Sequence, residues 1–205
     1  RVRKTPGRRH AAAFFDLDKT LVASYTALGL VREQYAAKQF NALDLLQLAT
    51  VAAFAARGTL DFEEALRTPF MMLAGEREAQ FADIAQTAFR KHWHDAIYPE
   101  AVELIAAHRR HGHHLVIVSS ATRYQVAPIA AELGISEIIC SELEVEDGRF
   151  TGQLQGAPCW GEHKLTAAQK YVARHRIALS DCYFYTDAFE DLPLLEQVGH
   201  PCALN

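Results

Sequence analysis

The chain has 205 residues, 50% of them hydrophobic, and a formal net charge of −4 at pH 7. That length suits one mid-sized domain or a domain with one large insertion, and that apolar content builds a core without disulfides. The acidic balance excludes a general nucleic-acid binder, which needs a basic field over the phosphates.

Residues 1–10 are basic at the start of the chain and have no apolar run behind them, so they read as a solvated lead-in, neither a signal peptide nor a membrane span. Ala11 to Phe15 is uncharged and reads as a buried strand of a parallel sheet. Asp16 and Asp18 follow it directly. Alternate residues of an extended segment face the same way, so these carboxylates repel each other unless a cation lies beside them. One could act as a nucleophile and the other as a proton shuttle. Taken alone, an Asp-x-Asp is more often a solvated acidic turn.

From Tyr25 to Ile97 the apolar residues recur at helical spacing without a strand-like run, which predicts a helical insertion. Asn41 is placed to cap a helix from Ala42 to Arg57, closed by Gly58. Further helices are expected from Phe62 to Leu73, with capping residues at Thr59 to Glu63, and from Arg77 to Trp93. The Ala42–Arg57 helix is apolar on nearly every face, yet it is too short to cross a bilayer and contains Asp44 and Gln47. It calls for cover from the insertion itself, from a second copy of the chain in a homodimer, or from a membrane surface.

An alternating pattern resumes at Tyr98. It predicts a helix from Glu100 to His111, a strand from His114 to Val118, a helix from Tyr124 to Leu133 closed by Gly134, and a strand from Ser136 to Cys140. Glu144 to Thr151 reads as a hairpin turning at Asp147-Gly148. A helix from Lys164 to His175, a strand from Cys182 to Tyr185 and a last strand from Pro201 to Leu204 complete the series. Strands alternating with helices give an α/β fold with a doubly wound parallel sheet. The expected division is a core at 11–24 and 98–205 with a helical cap at 25–97. A final helix would normally cover the last strand, so the sequence reads as truncated after Asn205. Cys140, Cys159, Cys182 and Cys202 form no Cys-x-x-Cys pair, which fits a reducing, cytoplasmic setting. His92, His94, His108, His111, His113 and His114 read as a solvated, partly titrating surface, because no carboxylate or Cys completes a ligand set beside them.

Polar groups recur at the predicted strand ends. Asp16 and Asp18 follow the first strand, Ser119 and Ser120 the second, Lys164 opens a helix, and Asp187 and Asp191 follow a later strand. Ligands of open sheets bind at that edge. Oxygen ligands without Cys or paired His favour Mg²⁺ over zinc. Ser119, expected at the start of a helical turn, would offer its hydroxyl and the next N–H to a phosphate oxygen. Lys164 would let an anionic nucleophile approach an anionic substrate.

Asp16-Leu17-Asp18-Lys19-Thr20, Ser119, Lys164 and Asp187 with Asp191 resemble, in order and placement, the four motifs of the haloacid dehalogenase (HAD) superfamily of phosphohydrolases. The insertion after the first motif is similar to a subfamily I cap. Tyr183 to Asp187 and Asp191 to Leu195 resemble the phosphoserine-phosphatase-like branch, subfamily IB. The resemblance covers about Ala12 to Asn205 and implies a Rossmann-like core. It implies that Asp16 attacks phosphorus and becomes an aspartyl-phosphate, while Asp18 protonates the leaving oxygen and then activates water. It further implies Mg²⁺ held by the carboxylates of Asp16 and Asp187 and the backbone carbonyl of Asp18, with Asp191 behind the metal or holding Lys164. Ser119, Ser120 and Lys164 would bind the phosphoryl oxygens, and Thr20 would brace the loop. Departures stand at Ala188, where the branch commonly has Ser, at Tyr25, where phosphoserine phosphatases carry a Glu, and near Pro69, where their cap Arg falls. The resemblance therefore implies a Mg²⁺-dependent phosphatase for a small-molecule or lipid-like phosphomonoester other than phosphoserine. Phe14 to Ala27 and Leu60-Asp61-Phe62-Glu63-Glu64 are similar to HAD domains fused ahead of lysophosphatidate-type acyltransferases. A phosphotransferase using the same intermediate and a non-catalytic binding module on the same fold are the alternatives.

Overall fold

Strand β1 (Ala12–Phe15) is buried along its whole length and forms the middle of a five-stranded sheet. In this computed structural model the described residues are 11–57 and 62–204. The basic lead-in, Gly58, the capping stretch at 59–61 with the Leu60-Asp61 of the acyltransferase-like segment, and Asn205 lie outside them.

The sheet order is β3-β2-β1-β6-β7, and every pairing in it is parallel. From β1 the chain runs outward through β2 (His114–Thr122) to β3 (Glu137–Ser141), then crosses back to β6 (Tyr183–Thr186) and ends on β7 (His200–Ala203). The direction reverses between β1 and β6, the place where a doubly wound sheet opens a crevice at its carboxyl edge.

Alternation along β1 splits the core into two layers. Ala12 and Phe14 pack with helix α7 (Gly161–His175) and the short α8 (Leu192–Leu195). Ala13 and Phe15 pack with α5 (Pro99–Arg110), α6 (Arg123–Glu132) and the helical insertion.

The insertion comprises α1 (Thr26–Ala36), α2 (Ala42–Ala56), α3 (Phe62–Met71) and α4 (Glu78–Ala88). Asn41 caps α2 as expected: its Oδ1 accepts from Leu43 N at 2.8 Å, and Asp44 accepts from Asn41 N at 2.7 Å. The expected Arg77–Trp93 helix widens into a π-helical turn over Phe89–Trp93. That turn re-aims Trp93 inward. The indole is fully buried against α1, where a Cβ on Gly29 would lie 2.5 Å from its Nε1. Helix α2 is covered on one side only: Leu45 and Leu48 pack against the core, while Leu43, Leu46 and Phe54 stay exposed. No helix among the described residues is long and apolar enough to cross a membrane.

A separate two-stranded hairpin, β4 (Leu143–Glu146) and β5 (Arg149–Leu154), turns at Asp147 (φ 49°) and Gly148 (φ 72°). Two positive φ values match the right-handed twist of the flanking strands. The hairpin is laced to the insertion by backbone bonds from Gly75 N to Phe150 O (2.8 Å), Phe150 N to Glu76 O (3.0 Å) and Glu78 N to Gly148 O (3.0 Å).

The solvated reading of the histidines fails at His108. His94 and His111 are exposed, but His108 on α5 is fully buried under Phe15. Its Nε2 lies 2.9 Å from the Tyr185 hydroxyl, and its Nδ1 lies 2.8 Å from Nδ1 of His113. Burial pushes its pKa down to about 3, helped by His113, His111 and His200, so the ring is neutral. All four cysteines are free thiols.

Candidate active site

Asp16 is the first residue past β1, and its N–H donates to Tyr185 O at 2.9 Å, which fixes it beside the end of β6 at the switch point. The chain then turns tightly, with the N–H groups of Thr20, Leu21 and Val22 all donating to Leu17 O and Lys19 at φ 59°. This turn carries Asp18 back over the same edge. Its Oδ1 accepts from Thr26 N at 3.0 Å, at the N-terminus of α1.

Behind Asp16 lies a buried ion cluster. Lys164, in the first turn of α7, is 2% exposed; its Nζ donates to Asp16 Oδ1 at 2.9 Å and touches both carboxylate oxygens of Asp191 at 2.7 and 2.8 Å. Burial alone would lower the lysine pKa, but the two carboxylates outweigh it and hold the ammonium above its ordinary value. One ammonium cannot neutralise both partners fully. Burial, with added repulsion from Asp191 and Asp18, keeps the Asp16 carboxyl above the usual carboxylate range against the pull of Lys164. Asp18 is raised as well, first by burial, although its bond from Thr26 opposes the shift.

Asp187 sits one residue beyond β6 and is exposed to the crevice; Thr20 Oγ1 donates to its Oδ1 at 3.3 Å. Asp16, Asp18, Ser119, Ser120, Lys164, Asp187 and Asp191 all line a single cavity of about 720 Å³. The expectation of a helical turn at Ser119 is corrected. Strand β2 continues to Thr122, because Ser119 pairs with Cys140 and Thr122 with Ser141 across an irregular step, and α6 starts only at Arg123. Ser119 Oγ accepts from Ala121 N at 3.2 Å instead.

Thr186 was not singled out from the sequence. Its hydroxyl donates to Asp191 Oδ2 at 2.6 Å and accepts from Ala188 N at 3.0 Å, so it secures the loop despite the alanine at 188. The only sequence signal is a hydroxyl residue closing an apolar strand. Gln125 is likewise unpredicted: with Thr122 it forms the capping box of α6, and its Nε2 donates to Thr26 Oγ1 at 2.9 Å, joining the core to α1.

Among the described residues no three His, Cys, Asp or Glu side chains are grouped to hold a metal by themselves. The donors present are carboxylates, and burial with the neighbouring carboxylates raises the pKa of Asp16 and of Asp18. A hard divalent cation fits such a set, completed by backbone oxygen, water or substrate.

The haloacid dehalogenase-like hydrolase profile matches residues 13–196. A probable phosphatase of Mycobacterium tuberculosis is 34% identical over 98% of this chain and 72% of its own length. A Bordetella pertussis protein of unknown function superposes with a TM-score of 0.86 at 27% identity, over 95% of this chain and 89% of that one. A phosphoserine phosphatase solved with its substrate bound shares the fold, with a TM-score of 0.70 at 21% identity over 94% of this chain and 85% of that one.

Proposed function

From the premise that the chain belongs to the haloacid dehalogenase-like hydrolases and is a phosphohydrolase, we propose that it is a Mg²⁺-dependent phosphomonoesterase working through Asp16. The observation that carries this reading is the convergence of Asp16, Asp18, Lys164 and Asp187 on one cavity at the switch point. Phosphatases of this family in general use a divalent metal. Here the carboxylates of Asp16 and Asp187 and the backbone carbonyl of Asp18 would hold it, and it would supply charge to offset the phosphoryl oxygens.

In this mechanism a carboxylate oxygen of Asp16 bonds to phosphorus as the bond to the leaving oxygen breaks. Asp18, whose pKa burial raises, gives that oxygen its proton. Water then gives a proton back to Asp18 and attacks phosphorus, and the bond to Asp16 breaks to release inorganic phosphate. Lys164, Ser119 and Ser120 orient the phosphoryl group, and Asp191 and Thr186 keep Lys164 in place.

The substrate reading is a leaving group with a sizeable apolar part. Tyr25 and Pro69, the positions lacking the charges that would read phosphoserine, both line the cavity, together with Leu28, Val31, Phe40 and Phe70. Four free thiols accord with a reducing compartment such as the cytoplasm.

Hydrolysis of an aryl phosphate with and without Mg²⁺ tests the reading. Asp16→Asn should lose several orders of magnitude in turnover with the fold intact; retention of more than about a tenth of the rate, only ~1.4 kcal/mol, removes Asp16 from the nucleophile's role. Asp187→Ala should need more Mg²⁺ for half-activation.

A further inference from the structure

Helix α1 has no cap of its own. The side chain of Tyr25, just before it, makes no capping bond, and Asp18 receives the first helical N–H, that of Thr26, at 3.0 Å. The Thr26 side chain bonds the same carboxyl. Asp18, a core residue, is therefore held from the insertion, by a threonine that is fully buried.

The Thr26 hydroxyl is set in turn by Gln125, which is buried in the first turn of α6 and lines the cavity. Gln125 Oε1 accepts from Thr122 N at 3.0 Å and from Thr122 Oγ1 at 2.8 Å. A backbone N–H can only donate, so that end of the amide is the oxygen. The Nε2 that meets Thr26 Oγ1 at 2.9 Å can only donate as well. The Thr26 oxygen thus accepts from Gln125, and its single proton is left for Asp18. The direction of the whole relay, from Thr122 through Gln125 and Thr26 to Asp18, is fixed at its far end by a backbone group.

We propose that Gln125 is a positioning residue for the acid step, acting through Thr26 to hold the Asp18 carboxyl where it delivers its proton to the leaving oxygen. This rests on the phosphomonoesterase reading of the same cavity. As the proton passes to that oxygen and its bond to phosphorus breaks, Asp18 is left negative, and two donors of Thr26 are already in place to receive the charge. Without Gln125 the threonine hydroxyl is free to turn, and a reacting group displaced by about 1 Å can lose on the order of 10²-fold in rate. Seating the insertion on the core does not fall to Gln125 alone. Tyr124 donates to Glu78 Oε1 at 2.8 Å and meets Phe81 edge-on with ring centroids 5.1 Å apart.

Two phosphates of similar size separate positioning from support. 4-Nitrophenolate leaves phosphorus without being protonated, whereas the benzyl alkoxide needs a proton, so benzyl phosphate alone depends on the acid. The readout is the ratio of kcat/KM on benzyl phosphate to that on 4-nitrophenyl phosphate. Asp18→Asn should lower this ratio most. Gln125→Met keeps the length of the side chain, and Thr122 still caps α6 through its own side chain; it should lower the ratio by about tenfold or more, with 4-nitrophenyl phosphate little affected. Thr26→Val should lower the ratio at least as far, and adding Gln125→Met to it should lower the ratio no further, because the two residues act in series. Tyr124→Phe removes a bond between insertion and core outside the relay and should leave the ratio unchanged. Equal losses on both substrates in Gln125→Met, a wild-type ratio in that variant, additive losses in the double variant, or a comparable fall in Tyr124→Phe overturns the proposal. If Asp18→Asn keeps the wild-type ratio, the acid role of Asp18 fails and this inference with it. If the wild type hydrolyses neither substrate, the phosphomonoesterase reading itself fails.

Discussion

Two buried polar clusters lie on opposite faces of the same central strands, and β6 contributes one residue to each. Thr186 turns toward Asp191, Lys164 and Asp16, whereas Tyr185 turns toward His108 and His113. The first cluster remains charged because each ion touches its opposite. The second is neutral: two Nδ1 atoms 2.8 Å apart can share only one proton, and burial keeps His108 from taking another. A buried group either finds a counter-charge or gives its charge up. Only the first solution leaves charge available for chemistry, and it is the one that opens onto the cavity.

Removing the counter-charge should break the comparison most severely. Lys164→Met leaves Asp16 and Asp191 buried without a cation, so a loss of ~3–5 kcal/mol in denaturant unfolding is expected, together with loss of turnover. A stability unchanged within error would show that the cluster is already neutral. Thr186→Val removes one bond to the Asp191 carboxylate and should cost about 1.5–3 kcal/mol, with the fold retained. Its activity should fall more than its stability if the loop bearing Asp187 loosens.

The neutral cluster predicts a pH effect instead. His108 binds a proton near pH 6.5 when unfolded and only near 3 when folded. Between those values the unfolded state holds the extra proton, so stability falls as the pH drops, by up to about 1.4 kcal/mol per pH unit from this residue. His108→Phe should flatten the slope of unfolding free energy between pH 4 and 6 relative to the wild type. An identical slope in both proteins would remove His108 as its source.

The charged cluster was legible in the sequence and the neutral one was not, for a physical reason. Asp16, Asp18 and Asp187 stand at or just past the ends of apolar runs, where strand termini converge whatever the rest of the chain does, Lys164 stands at the start of a helix legible from its own spacing, and the parallel sheet follows from the alternation of strands and helices. His108 sits in the last turn of α5 beside Arg109 and Arg110, and only the register of α5 against Phe15 decides that it points inward. Ser119 was misplaced because pairing with β3 keeps a polar segment extended past the apolar run that predicted the strand.

The hairpin seam bears on how solutes pass in and out. A domain inserted through two connections could swing freely about them. Here β5 adds a third attachment beside α4, and Gly152 is pressed so close that a Cβ would lie 3.0 Å from Ala74 Cβ and 3.3 Å from Met71 backbone. Widening the aperture along this side means breaking several backbone hydrogen bonds together, each worth about 1 kcal/mol. The seam therefore resists opening along the hairpin. Of the residues that line the cavity, Leu28 and Phe189 are 64% and 83% exposed, which puts apolar side chains where the cavity meets solvent.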